Sequence, residues 1–122
     1  MTYSELLRDP RWQKLRLEIL QAANWKCEDC GGSDKSLEVH HCAYPSGKNP
    51  WECPAELLMA VCESCHIKRQ KFENSLREDL GKICRFMSLA ELEDEAFRLV
   101  REIADRQTAR MAAAFGGSDD EG

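Results

Sequence analysis

Four cysteines in two identically spaced pairs, Cys27-x-x-Cys30 and Cys62-x-x-Cys65, carry the strongest chemical signal in this 122-residue chain. A two-residue spacer lets each pair grip one ion, and four soft thiolates suit a tetrahedral Zn²⁺ in a structural site closed to substrate. Structural zinc binds with about 10 to 16 kcal/mol, comparable with the whole stability of a small domain. Cys42, Cys53 and Cys84 lack such spacing, read as partly buried free thiols, and are assigned no role. Seven cysteines are an odd number, and Met1 to Glu5 shows neither the basic nor the apolar region of a secretion signal. Metal binding in a reducing compartment therefore explains the cysteines better than a disulfide scaffold. A redox protein using its C-x-x-C pairs is a further reading; it predicts that zinc-free protein stays folded.

The chain has three histidines, His40, His41 and His66. The first two share one apolar-polar alternating segment, Leu37-Glu38-Val39-His40-His41, and the third directly follows the last paired cysteine. Folding around zinc draws all three toward one place. An imidazole titrating near neutrality can deprotonate water or ligate a metal ion.

Leu37-Glu38-Val39-His40-His41, Pro50-Trp51-Glu52-x-Pro54 and Cys62-x-x-Cys65-His66, preceded by Cys27-x-x-Cys30, resemble the HNH endonuclease family in its zinc-stabilised form. The opening Tyr3-x-x-x-Leu7-x-x-Pro10-x-Trp12 is similar to segments that precede the knuckle in that family, so the resemblance covers roughly residues 3 to 70. It implies an α+β fold: a ββα-metal (HNH, His-Me finger) core stapled by a four-cysteine zinc site. By resemblance His40 and His66 would be ligands of one catalytic divalent cation (Mg²⁺, Mn²⁺, Ni²⁺ or Zn²⁺), and His41 the general base acting on water. The implied activity is hydrolysis of DNA phosphodiester bonds to 5′-phosphate and 3′-hydroxyl ends.

The chain departs from the family pattern at two positions. The middle asparagine that orients the base would fall near Leu57, and Gln70 stands where many members carry another histidine. A backbone carbonyl could orient His41 instead. The second reading is accordingly a catalytically inactive HNH-like zinc module that binds nucleic acid or a protein partner, as an inhibitor or accessory protein.

Lys68, Arg69 and Lys71 follow His66 and are the candidate contacts to the phosphate backbone; Arg11, Lys14, Arg16 and Lys48 are weaker candidates. A solvated helix face is the ordinary alternative for such a cluster.

These residues need elements to hold them. Asp9 can cap a helix with Pro10 at its first position, running to Asn24 after a short helical turn at Tyr3 to Arg8. Gly31-Gly32 permits the positive φ of a knuckle. Residues 37–41 read as a short strand, Cys42 to Pro54 as a loop pinned by Tyr44 and Trp51, and a helix starts at or just inside the second knuckle. Neighbouring strand residues point to opposite faces, so a strand end or bulge is expected at His40-His41 to bring both rings to one phosphate. A strand running straight through would instead give His41 to the Leu37-Val39 core face and make it structural. Ser88 and Glu91 form a capping box ahead of a long C-terminal helix ending before Gly116-Gly117.

The expected organisation is a zinc-stapled domain with an N-terminal helical arm over residues 1–87, a helical extension over 88–115 and a disordered acidic tail over 116–122. The apolar stripe Leu89, Leu92, Ala96, Val100, Ile103 and Met111 fits ordinary core or a homodimer seam. Net charge is -5, which taken alone argues against a nucleic-acid partner. Residues 1–87 carry 13 basic and 13 acidic side chains, however, against 4 and 9 in residues 88–122, so the acidic excess lies entirely at the C-terminal end. No apolar run approaches the roughly 20 residues of a membrane span, and cytoplasmic localisation is the expectation.

Overall fold

The computed structural model describes residues 1–119. Its elements in chain order are α1 (Tyr3–Arg8), α2 (Pro10–Ala22), β1 (Leu37–His41), β2 (Leu58–Cys62), α3 (Glu63–Phe86) and α4 (Leu89–Asp119), with single 3-10 turns at Pro50–Glu52 and Ala55–Leu57. The fold is α+β, with one two-stranded antiparallel sheet. No helix among the described residues is long and apolar enough to cross a membrane.

Two compact units divide the chain, 1–75 and 76–122. The division falls inside α3 rather than at the 87/88 turn expected from the capping box, because the C-terminal part of α3 shares its apolar side with the start of α4.

In the first unit, local chemistry places the elements. The Asp9 carboxylate accepts from Arg11 N at 2.8 Å, and Pro10 starts α2 without wasting a donor. Two bonds from the Arg11 guanidinium and that backbone bond hold the Asp9 carboxyl at about 2, well below its ordinary value. Past α2, Asn24 and Trp25 both adopt left-handed φ, 56° and 57°, and swing the chain into the first knuckle. Such a φ is ordinary for asparagine and strained for a bulky residue. Helix α2 lays Trp12 and Ile19 against Cys53 and Leu58, with Val39, Trp51 and Leu57 at the edge of that cluster.

The strands pair without a bulge, from Leu37 opposite Cys62 to His41 opposite Leu58. A second cluster, Cys27, Val61 and Cys62, is flanked by Leu37, Met59 and Cys65. Much of this small core is therefore sulfur.

The second unit is a pair of helical segments. Leu80, Ile83, Cys84 and Met87 face Leu92, Ala96 and Leu99 across a groove of about 510 Å³. Phe97, Val100 and Ile103 stay largely exposed. Helix α4 continues through Asp119, past Gly116-Gly117 where the sequence pattern ends it, and has a length of about 46 Å at 1.5 Å per residue. Residues 116–119 of the expected acidic tail thus belong to the helix, and residues 120–122 lie outside the described residues.

The capping box is formed in both directions: Glu91 N donates to Ser88 Oγ at 3.2 Å and Ser88 N to Glu91 Oε1 at 3.1 Å. Ser88→Ala is expected to cost about 1 kcal/mol, the usual value of an N-cap side chain. Thermal denaturation followed at 222 nm checks it; an unchanged midpoint would mean that the cap adds nothing to α4.

Candidate functional site

The four paired cysteines come together as their spacing predicts. Their sulfurs lie within 4.8 Å of one another, with Cys30 Sγ 3.9 Å from Cys62 Sγ, and could hold a metal ion. The first knuckle is shaped by Cys27 N donating to Gly32 O at 2.9 Å and Gly31 N to Cys27 O at 2.8 Å, with Gly31 at φ 76°. It is tied to β2 twice: Glu28 N donates to Ala60 O at 2.9 Å, and the Glu28 carboxylate accepts from Ala60 N at 2.6 Å.

Electrostatics fits this set to a cation. Burial pushes the Cys27 thiol up, but backbone N–H donors, that of Cys30 first, outweigh it and bring the thiol below its ordinary value. The N–H of Cys65 likewise lowers Cys62. Cys65 moves the other way, because its thiol keeps a proton shared with Cys62. Four thiolates repel one another at this distance, and a dication bound by all four offsets two of their four charges. Lys35 Nζ, 3.9 Å from Cys30 Sγ, adds one positive charge.

The three histidines gather at the far end of β1, in two environments. His40 and His66 stand edge to face with ring centroids 5.0 Å apart. His40 Nε2 donates to Glu73 Oε2 at 2.8 Å, and His66 Nδ1 donates to Glu38 Oε2. Both partners are carboxylates that the sequence pattern did not flag. Glu73 lies seven residues after His66, two turns along α3, and that interval was the signal available for it.

His41 ends β1, as the strand-end expectation required, but strand alternation persists to that residue and places it on the Leu37-Val39 face. There its ring is stacked between Trp12, at a centroid distance of 5.1 Å, and Tyr44, at 4.7 Å. It is 5% exposed, and its Nε2 is the one buried side-chain N or O among the described residues without a hydrogen-bond partner. Burial first, then the neighbouring His40 and His66, push its pKa below the ordinary imidazole value.

The face is not sealed. A cavity of about 360 Å³ is lined by His41, His66, Glu38, Tyr44, Arg16 and Gln70 among others. Its lining takes Val39 and His41 from one side of β1 and Glu38 from the other, so it wraps the unpaired edge of that strand. His41 also lines a smaller cavity of about 80 Å³ with Lys48 and Asn49.

Leu57, where the family pattern has its asparagine, packs at the edge of the Trp12 cluster, and its carbonyl accepts from Cys42 N at 2.8 Å. The two flanking aromatic rings, rather than an amide, fix the plane of His41.

The basic cluster of α3 divides. Lys68 and Lys71 are exposed, whereas Arg69 is engaged within the protein. It forms a two-pronged bond to Asp29, at 2.8 and 2.9 Å, and reaches Glu73 Oε1 at 3.4 Å. Arg69, expected on a phosphate track, instead links α3 to the first knuckle. Arg11 is likewise occupied, by Asp9 and by the Trp51 ring 4.1 Å away.

Cys42 also differs from its unassigned status. A ring nitrogen of His40, Cys42 Sγ and a carboxylate oxygen of Glu73 lie within 4.8 Å of one another. No protein-family model, curated protein or solved structure matches the chain.

Proposed function

We propose that this protein is a metal-dependent endonuclease of the HNH type that hydrolyses DNA phosphodiester bonds to 5′-phosphate and 3′-hydroxyl ends. The observation that carries the reading is His41 Nε2, a buried, partnerless nitrogen on a ring that lines the cavity beside His66. A buried polar atom without a partner costs stability, and such atoms concentrate where chemistry uses them.

In this mechanism His41, held in plane by Trp12 and Tyr44, takes a proton from water as the water oxygen bonds to phosphorus. The 3′-oxygen then leaves and is protonated from solvent. A divalent cation held at His40 would supply charge stabilisation at phosphorus and the leaving oxygen to a phosphate lying round the unpaired edge of β1, since His40 and His41 point to opposite faces of the strand. Arg16, in the cavity lining, and the exposed Lys68 and Lys71 of α3 offer positive charge for the strand. The apolar residues left exposed along α4 support a homodimer, which would present two nicking sites to opposite strands.

One observation favours the second reading, an inactive HNH-like module that binds nucleic acid or a protein. A ring 5% exposed between two aromatics also has the makings of a core wedge. Incubation with supercoiled plasmid and Mg²⁺, Mn²⁺, Ni²⁺ or Zn²⁺ separates the two. The nuclease reading expects nicked and then linear DNA, abolished by EDTA, with ends that a ligase reseals directly. DNA retained in a complex but left supercoiled with every metal rejects it in favour of the module.

A further inference from the structure

We infer that His40, Cys42 and Glu73 form a second zinc site, separate from the four cysteines, with its fourth coordination position open. The inference deepens the functional reading by naming the ligands around His40. Catalytic use of the ion rests on that reading, whereas ion binding does not.

The geometry is close to what the ion needs. Zinc bonds of 2.0 to 2.3 Å in a tetrahedron set donor atoms about 3.3 to 3.8 Å apart. With one sulfur in the set the longest edge is about 3.6 Å, and the three donors already lie within 4.8 Å of one another, so the widest edge has to contract by no more than about 1.3 Å while the 2.8 Å His40–Glu73 edge opens by about 0.5 Å. His40 is buried, Cys42 half-buried, and the Glu73 side chain 16% exposed. The backbone of Cys42 is fixed by its N–H bond to Leu57 O.

The carboxylate is also oriented from behind. Arg69 takes Glu73 Oε1, which leaves Oε2 directed at His40 Nε2, 2.8 Å away. Arg69 is itself held by both carboxylate oxygens of Asp29, which lies between Cys27 and Cys30. A charge-paired chain thus runs from the four-cysteine knuckle through Asp29 and Arg69 to the second ligand set. Partners of this kind, behind the ligands, fix carboxylate and imidazole orientation at metal centres.

The donor set selects the ion. Imidazole with thiolate suits zinc, whereas Mg²⁺ and Ca²⁺ require oxygen ligands. Entry of Zn²⁺ at His40 Nε2 leaves the neutral imidazole with its proton on Nδ1, and the proton of the Cys42 thiol passes to solvent. Three protein ligands leave a position for water, the pattern of catalytic rather than structural zinc. His66 falls outside this set, which brings together donor atoms of His40, Cys42 and Glu73.

Metal counting on the full chain tests the assignment. Protein loaded with zinc and dialysed is expected to retain two ions per chain. Cys42→Ser and Glu73→Gln are each expected to retain one, with circular dichroism unchanged because the four-cysteine ion remains, while His66→Ala keeps two. Cobalt substitution gives a second readout: the second equivalent should add a sulfur-to-cobalt charge-transfer band in the parent protein and none in Cys42→Ser. A single ion in the parent protein overturns the inference, as do two ions in the Cys42→Ser, Glu73→Gln double variant. Loss of the second ion in His66→Ala but not in Cys42→Ser would transfer it to the histidine pair, overturning the inference while sparing the nuclease reading. Two ions in a protein that cuts no plasmid would leave the zinc site standing and reject the nuclease.

Discussion

Stripping the ion from the four cysteines, or replacing Cys62 with serine, is expected to unfold the first unit, residues 1–75. The cluster around this site has Cys27, Val61 and Cys62 as its buried members, so only one of the three is a hydrocarbon side chain. The other cluster buries Trp12, Ile19, Cys53 and Leu58. A core of this size does not by itself offset the ordering of some 75 residues, and small domains make up the difference with a metal or disulfides. Without a dication the four sulfurs must either share protons or repel, and the knuckle loses the reason for its turn. A contribution of about 10 to 16 kcal/mol from structural zinc is as large as the typical net stability of a domain, so the expected outcome is loss of the fold rather than a lowered melting point. Release of zinc by a mercurial reagent, followed by near-ultraviolet circular dichroism and proton NMR dispersion, makes the measurement. Cys84→Ser, at an exposed position of α3, is the control and should behave as the parent. Metal-free protein with unchanged spectra would contradict the zinc staple and return the C-x-x-C pairs to the redox reading.

His41→Phe is expected to fold and bind zinc normally and to cleave plasmid about 10² to 10⁴ times more slowly, the usual worth of a general base. This corresponds to about 3 to 5 kcal/mol of transition-state stabilisation at 1.36 kcal/mol per decade. Phenylalanine keeps a flat ring between Trp12 and Tyr44, preserving the two stacking contacts, and removes both nitrogens. His41→Ala removes the ring as well, and leaves room in which added imidazole can restore part of the rate. The pair of variants separates the two roles open to His41. A base predicts a folded, inactive phenylalanine variant and imidazole rescue of the alanine variant. A structural wedge predicts a phenylalanine variant as active as the parent.

At Leu57, where the pattern that the sequence resembles has an asparagine, no amide is present; the His41 ring is flanked instead by two ring faces, contributed by α2 and by the loop after β1. The loop residue Tyr44 was expected to pin the loop to the domain; its contact is with His41 itself.

What the sequence determined by itself lies within a few residues along the chain. Asp9-Pro10 set the start of α2, Ser88 and Glu91 the start of α4, and the two C-x-x-C spacings their knuckles, because each is closed by bonds spanning two to five residues. The apolar-polar alternation of residues 37–41 likewise gave β1 its limits. The tertiary structure alone decided who meets whom across the site. Glu38 meets His66 over 28 residues, His40 meets Glu73 over 33, and Asp29 meets Arg69 over 40. Those pairings follow from the register of β1 on β2 and from the direction in which α3 leaves β2, neither of which has a local signature. Strand alternation then sent two adjacent histidines to opposite faces, one to carboxylates and the other to aromatic rings, so residues identical in type and neighbouring in sequence acquired different chemistry.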